Sequence, residues 1–257
     1  MKKWFLPVML LFAFVSLSFA QDTADDVKLF ENFYYDAVIA ENPYVEGLLN
    51  LDMYDGWKNM IIGARGGFAV TEKIEIQAAL GYVSISPDEG DGESGLSDLQ
   101  LFGRYQLVND GAMKVAAGAE VSLPIGSEDI GMGELQFGPF AAIRYGLESG
   151  MVLTANLGLL FYETTEYEFD TDTWEMKEET KYENTFHLGA GVIYPVSDDV
   201  SVVGEFNMLS EFDYMMLRAG LDYQMGGGKL RAALGIGLDD GAPDFSIIAG
   251  YQFVLGK

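Results

Sequence analysis

Eleven stretches of about ten residues alternate apolar side chains with polar or small ones, and turn residues separate them. A period of two places every second side chain on the same face of a strand. The stretches are Asn59–Val70, Lys73–Ile85, Leu96–Val108, Ala112–Ile125, Glu134–Leu147, Met151–Tyr162, Lys181–Tyr194, Val200–Leu209, Asp213–Met225, Lys229–Leu238 and Asp244–Leu255. The chain therefore reads as all-β. Its connections alternate in length. Val70–Lys73, Asn109–Gly111, Glu148–Gly150, Pro195–Asp199 and Gly226–Gly228 are short hairpin turns, whereas the connections between them are mostly longer and acidic. Short turns at one end and long loops at the other are the pattern of an up-and-down transmembrane barrel. Asn59–Val70 runs into a short turn, so a strand of opposite direction must precede it. Tyr44–Met53 fits: Val45, Gly47, Leu49, Leu51 and Met53 take one parity, and Glu46, Asn50 and Asp52 the other. The expected fold is an antiparallel barrel of twelve strands (ten to fourteen fit the pattern), with both termini at the periplasmic, short-turn end.

The cations indicate which face is inside. All five arginines, Arg65, Arg104, Arg144, Arg218 and Arg231, lie within strands at the polar parity. The lysines cluster instead at the termini, in turns and at strand ends, as do Lys73, Lys114 and Lys229. A soluble β-protein scatters lysine over its wet faces. Here the strand interiors carry only the cation whose planar fork pairs well in a confined space. The apolar parity carries aromatics at both strand ends: Tyr82, Phe161, Tyr182 and Phe245 near the loops, and Phe68, Tyr105, Tyr145, Tyr194, Tyr223 and Phe253 near the turns. Two aromatic girdles are what lipid interfaces select. The apolar face is expected to meet lipid and the polar face to line a lumen. A soluble periplasmic ligand-binding barrel carries the same alternation turned inside out, and fractionation separates the two.

Residues 1–20 read as a secretory signal, with Lys2 and Lys3 ahead of an apolar run and Ser18-Phe19-Ala20 as the cleavage site. Residues 21–42 then form a periplasmic N-terminal segment and residues 43–257 the outer-membrane barrel. Within 21–42, Val27, Phe30, Phe33, Tyr34 and Val38 suit a short amphipathic helix at the barrel mouth, as a plug or a loose leader. The formal charge is −25 and the chain has no cysteine. The first argues against nucleic-acid partners. The second excludes disulfides, thiolate metal sites and a cysteine nucleophile.

Twelve strands about 4.8 Å apart and tilted about 40° give a backbone diameter of roughly 24 Å, leaving about 10 Å between side chains. Two readings of the arginine belt follow. It is a basic constriction that selects solutes, or a filling that holds the barrel in shape through carboxylate partners at Glu75, Glu120, Glu205 and Asp222. His187 is the only histidine, and no nucleophile signature accompanies it, so it reads as a lumen histidine and no enzyme activity is expected. No cofactor or metal is expected. Asp88–Asp98 is acidic but lacks the ordered spacing of a calcium loop. The segment Glu163–Glu179 reads as a hairpin continuing above the membrane.

Several short motifs resemble a known family. Ser97-Asp98-Leu99-Gln100-Leu101 with Arg104-Tyr105 is similar to the opening of the outer-membrane channel family called MetA-pathway of phenol degradation. Gly118–Gly126 is similar to a strand end of that family, and Gly191–Tyr194, Val203–Phe206 and Leu238–Asp244 also fit. The resemblance spans roughly residues 95 to 255. It departs at the C-terminus, where Val254-Leu255-Gly256-Lys257 follow Phe253. It implies an outer-membrane transporter-like barrel for small, often hydrophobic or aromatic compounds. The partners expected are the lipid bilayer, a small-molecule solute and the barrel assembly machinery. The competing expectation is a closed-lumen structural or interaction barrel with acidic surface loops.

Overall fold

The computed structural model describes residues 26–131, 133–170 and 175–256. The strands are β1 (Tyr44–Tyr54), β2 (Trp57–Thr71), β3 (Ile74–Pro87), β4 (Glu93–Leu96), β5 (Leu99–Asp110), β6 (Met113–Leu123), β7 (Gln136–Gly146), β8 (Val152–Asp170), β9 (Glu175–Pro195), β10 (Val200–Leu209), β11 (Tyr214–Met225), β12 (Gly228–Gly237) and β13 (Phe245–Val254). Each pairs antiparallel with its neighbour in sequence, except that β3 takes both β4 and β5. Those two form a single stave broken at Ser97-Asp98, so the wall has twelve staves. β1 pairs with β2 on one side and β13 on the other, which closes the barrel. Closure leaves no edge to satisfy in lipid. Among the described residues, no helix is long and apolar enough to cross a membrane.

The alternation separates into two environments as the sequence predicts. Ile62, Phe68, Leu107, Tyr105, Tyr182, Leu221, Leu234 and Phe253 are exposed on the outer face. All five arginines are buried inside. The strand registers explain how a lumen tolerates them. Glu46 stands directly opposite Arg65, Glu75 opposite Arg104, Glu205 opposite Arg218 and Asp222 opposite Arg231. Opposed side chains on neighbouring strands are the closest contacts a sheet offers. Arg144 differs: its cross-strand neighbours are Lys114 and Thr154.

β8 and β9 outgrow the wall. β7 follows β8 only to Tyr162, while β8 and β9 continue as a pair to Asp170 and Glu175. The hairpin read from Glu163–Glu179 thus has paired backbone on both arms, with its tip at 171–174 outside the described residues. At the same end, β1 turns into β2 through Asp55-Gly56, where Gly56 takes φ +87. That conformation is open to glycine at no steric cost.

Candidate functional site

The lumen is occupied by the chain itself. Residues 26–43 contain no helix: they run as bends and turns inside the barrel. Val27, Leu29, Phe30, Phe33 and Ala37 are buried there. Phe30 packs with wall residues Val152, Val203, Ala233 and Ile248. Phe33 and Tyr34 join Tyr44, Phe102 and Phe140, with Tyr34 stacked on Phe102 at 4.0 Å. The short amphipathic helix expected within 21–42 is therefore not formed over its described part. The reason is physical: an irregular segment can follow a lumen of uneven shape, provided wall side chains satisfy its backbone.

The arginines do so. Arg65 Nη1 donates to the carbonyl of Phe30 at 2.7 Å. Arg104 donates to Tyr34 and Val38 at 3.2 and 2.6 Å. Arg144 donates to Val27 at 2.6 Å, and Arg231 to Lys28 and Leu29. Gln106 adds Ala37 at 2.9 Å. Wall carboxylates take the amides: Glu205 accepts from Phe30 and Glu31 at 3.1 and 2.8 Å, and Glu75 accepts from Ala40 at 2.7 Å. The wall holds the segment chiefly by its backbone.

Charge is balanced in the same contacts. Arg104 pairs with Glu75 at 2.7 Å, and Arg231 with Asp222 at 2.9 Å and Glu46 at 2.8 Å. Arg65 shares Glu46 at 3.1 Å and lies over the Phe33 ring at 3.8 Å. Arg218 pairs with Glu205 at 3.6 Å and with Glu31 of the segment at 2.6 Å. Arg144 pairs with Asp36 of the segment at 3.1 Å. The geometry thus brings Glu75, Glu205 and Asp222 to arginines, while Glu120 accepts the Tyr35 hydroxyl at 2.7 Å. Three further carboxylates belong to the network: Glu46, Glu31 and Asp36. Glu46 was visible at the polar parity of its strand. Glu31 and Asp36 lie in a segment whose apolar spacing suits a helix, and nothing in that pattern ties them to the arginines. His187 sits inside, 2.6 Å from Asn207 Oδ1 and with its ring 4.2 Å from that of Tyr35. No group of three metal-ligating side chains occurs among the described residues.

Small wall residues make room for the segment. A Cβ on Gly191 would stand 2.7 Å from Leu29 Cδ2, and one on Gly189 would overlap Asn32 Oδ1 and Asn156 Nδ2. Both collisions fall on side chains rather than on wall backbone. Gly189→Ala is therefore expected to loosen the segment while leaving the sheet intact. Limited proteolysis should then cut within residues 26–42 at least about tenfold faster than in the wild type, following a local cost of roughly 1–3 kcal/mol from overpacking. An unchanged cleavage rate would show that the segment yields without leaving its place.

Above the segment lies a cavity of about 350 Å³, floored by Phe30, Glu31 and Tyr34 and walled by β1, β2, β3 and β11. It faces the long-loop end, as Asp52, Tyr54 and Pro243 line it.

A closed antiparallel barrel with an apolar outer belt and a polar, plugged lumen defines the outer-membrane channel class of fold. The chain belongs to the family described as Putative MetA-pathway of phenol degradation, whose model matches residues 57–255. It is similar in fold to the COG4313 outer membrane channel from Pseudomonas putida F1, with 15% identity, 90% of this chain and 100% of that chain covered, and a TM-score of 0.68. The KdgM porin follows at 12% identity, 82% and 99% coverage and a TM-score of 0.51. The NanC porin stands at 11% identity, 83% and 100% coverage and a TM-score of 0.50. No protein of curated function matches the sequence.

Proposed function

We propose that this protein is a passive outer-membrane channel for small solutes with an apolar or aromatic body, closed at rest by its own N-terminal segment. One observation carries the reading: an irregular segment that takes no part in the sheet occupies the lumen among the wall's side chains, so it can leave without unfolding the barrel. The apolar lining of the cavity, with Leu48, Ile61, Val83 and Ile248 around a few polar groups, suits small organic solutes. In this reading residues 1–20 are removed on export, the barrel assembly machinery inserts the barrel, and residues 26–42 serve as the plug. The arginine belt holds the plug and takes no part in catalysis. The family and the similar folds accord with a channel rather than an enzyme.

The competing reading, a closed structural or interaction barrel, is favoured by the number of bonds that hold the segment. Flux separates the two. Vesicles with a lipopolysaccharide outer leaflet should take up 2-phenylethanol faster when they contain the protein than when they contain none. Equal rates, with the barrel shown to be folded by its heat-modifiable mobility, would leave the closed barrel standing.

A further inference from the structure

Among the described residues, one carboxylate at the upper cavity lacks the ion pair that the other carboxylates of the arginine network have. Below the cavity, Glu46 and Asp222 pair with Arg65, Arg231 and Lys229. The cavity is lined by two carboxylates, Glu31 and Asp52, and two guanidiniums, Arg65 and Arg218, but Arg65 is paired with Glu46 and Arg218 with Glu31. Arg218 contacts Glu31 and Glu205 directly, and it donates to Ser246 Oγ at 3.1 Å. Ser246 Oγ in turn donates to Asp52 at 2.6 Å, and Asn50 donates to the other Asp52 oxygen at 2.8 Å. Asp52 is 8% exposed and forms no ion pair among the described residues. A buried carboxylate normally has a cation beside it. Here the second carboxylate oxygen meets only a neutral amide, and the space beside it is the cavity that Asp52 lines.

We propose that this cavity binds small organic cations, an ammonium seated against Asp52 with its apolar body between Leu48, Ile61, Val83 and Ile248. Two features of the molecule support the sign. The formal charge of −25 concentrates in loops at this end, including Asp88–Glu93, Glu128–Asp129 and Asp239–Asp240. Such a field raises the local concentration of cations at the mouth. The arginines, which would otherwise favour anions, are committed to carboxylates and plug carbonyls. An anionic solute would meet Asp52, the lining carboxylate without an ion pair among the described residues, whereas an alkyl- or arylammonium would neutralise it.

This inference rests on the cavity lying on the solute route proposed above, and its test reads binding, not flux. Purified full-length protein in nanodiscs is titrated with phenethylamine, 2-phenylethanol and phenylacetate at neutral pH, and empty nanodiscs correct for partitioning. The three share an aromatic body and differ in charge. The amine should bind roughly tenfold tighter than the alcohol, and phenylacetate weakest, as expected for one desolvated charge contact. Asp52→Asn should bring the amine to within about twofold of the alcohol and leave the alcohol unchanged, whereas Asp52→Glu should retain the preference. Equal binding of amine and alcohol by the wild type overturns the proposal without any variant, as does a preference that survives Asp52→Asn. Amine binding without flux sinks the channel reading alone, and flux without amine preference sinks this one alone.

Discussion

Deleting residues 26–42 from the exported chain is expected to raise small-solute flux by about tenfold or more, because the bore of roughly 10 Å is then unobstructed. The barrel should still fold. Its twelve staves are joined by backbone pairing in which the segment takes no part. Most of the buried charge is also settled within the wall. Glu46 keeps Arg65 and Arg231, Glu75 keeps Arg104, Glu205 keeps Arg218, and Asp222 keeps Arg231 and Lys229. What is lost is the plug's own contribution: Asp36 at Arg144, Glu31 at Arg218, and the carbonyls that occupy the remaining guanidinium donors. Water entering the opened lumen can replace those hydrogen bonds, so leaving them costs far less than it would in a dry core. Liposome swelling with solutes of graded size checks the outcome, alongside the heat-modifiable mobility of the deleted form. A folded barrel that swells no faster than the wild type would mean that wall side chains close the path, and the plug would then be a stabilising filler.

Most of the wall was legible in the sequence because a period of two survives any detail of packing. Val200–Leu209 matches its strand end to end; others stop a residue or two inside the alternating stretch, as β6, β7 and β13 do, or run past it, most of all at the β8–β9 hairpin. The strand inferred before Asn59 is present as β1. The arginine network was legible in its wall half. Three of the carboxylates expected as partners stand directly across a strand pair from an arginine, which follows once adjacent strands are aligned on their turns. The plug half was not legible. The apolar spacing of residues 26–42 suits a helix at the mouth, as a plug or a loose leader, and so gives neither their irregular path nor their use of Asp36 and Glu31. Backbone carbonyls carry no sequence signature at all, and they take more of the arginine hydrogen bonds than the plug's carboxylates do. Arg144 marks the boundary. It faces Lys114 and Thr154 across its strands, so its partner Asp36 had to come from outside the wall.

Arg231→Met should be among the most destabilising single substitutions in the lumen, at about 3–5 kcal/mol. Arg231 is fully buried and uses every arm of its guanidinium. Nε donates to Asp222 at 2.9 Å, Nη1 to Glu46 at 2.8 Å, and Nη2 to the carbonyls of Lys28 and Leu29. The planar group also lies over the Phe30 ring at 4.7 Å. Methionine fills much of the volume but supplies no donor. Asp222 is left with Lys229 at 3.8 Å, Glu46 with Arg65 alone, and two plug carbonyls lose their partner. Breaking one side of a buried pair costs more than removing the pair, because the remaining charge stays desolvated. Adding Asp222→Leu to Arg231→Met should therefore recover part of the loss, on the order of 1–2 kcal/mol. Lys229 limits the recovery, since it then loses its own carboxylate. Urea titrations of the folded barrel in lipid vesicles, followed by tryptophan fluorescence, measure both variants. A loss below about 1 kcal/mol for the single variant would show that water reaches the site and screens the charges. A double variant no more stable than the single one would place the cost in the plug contacts and not in the Arg231–Asp222 pair.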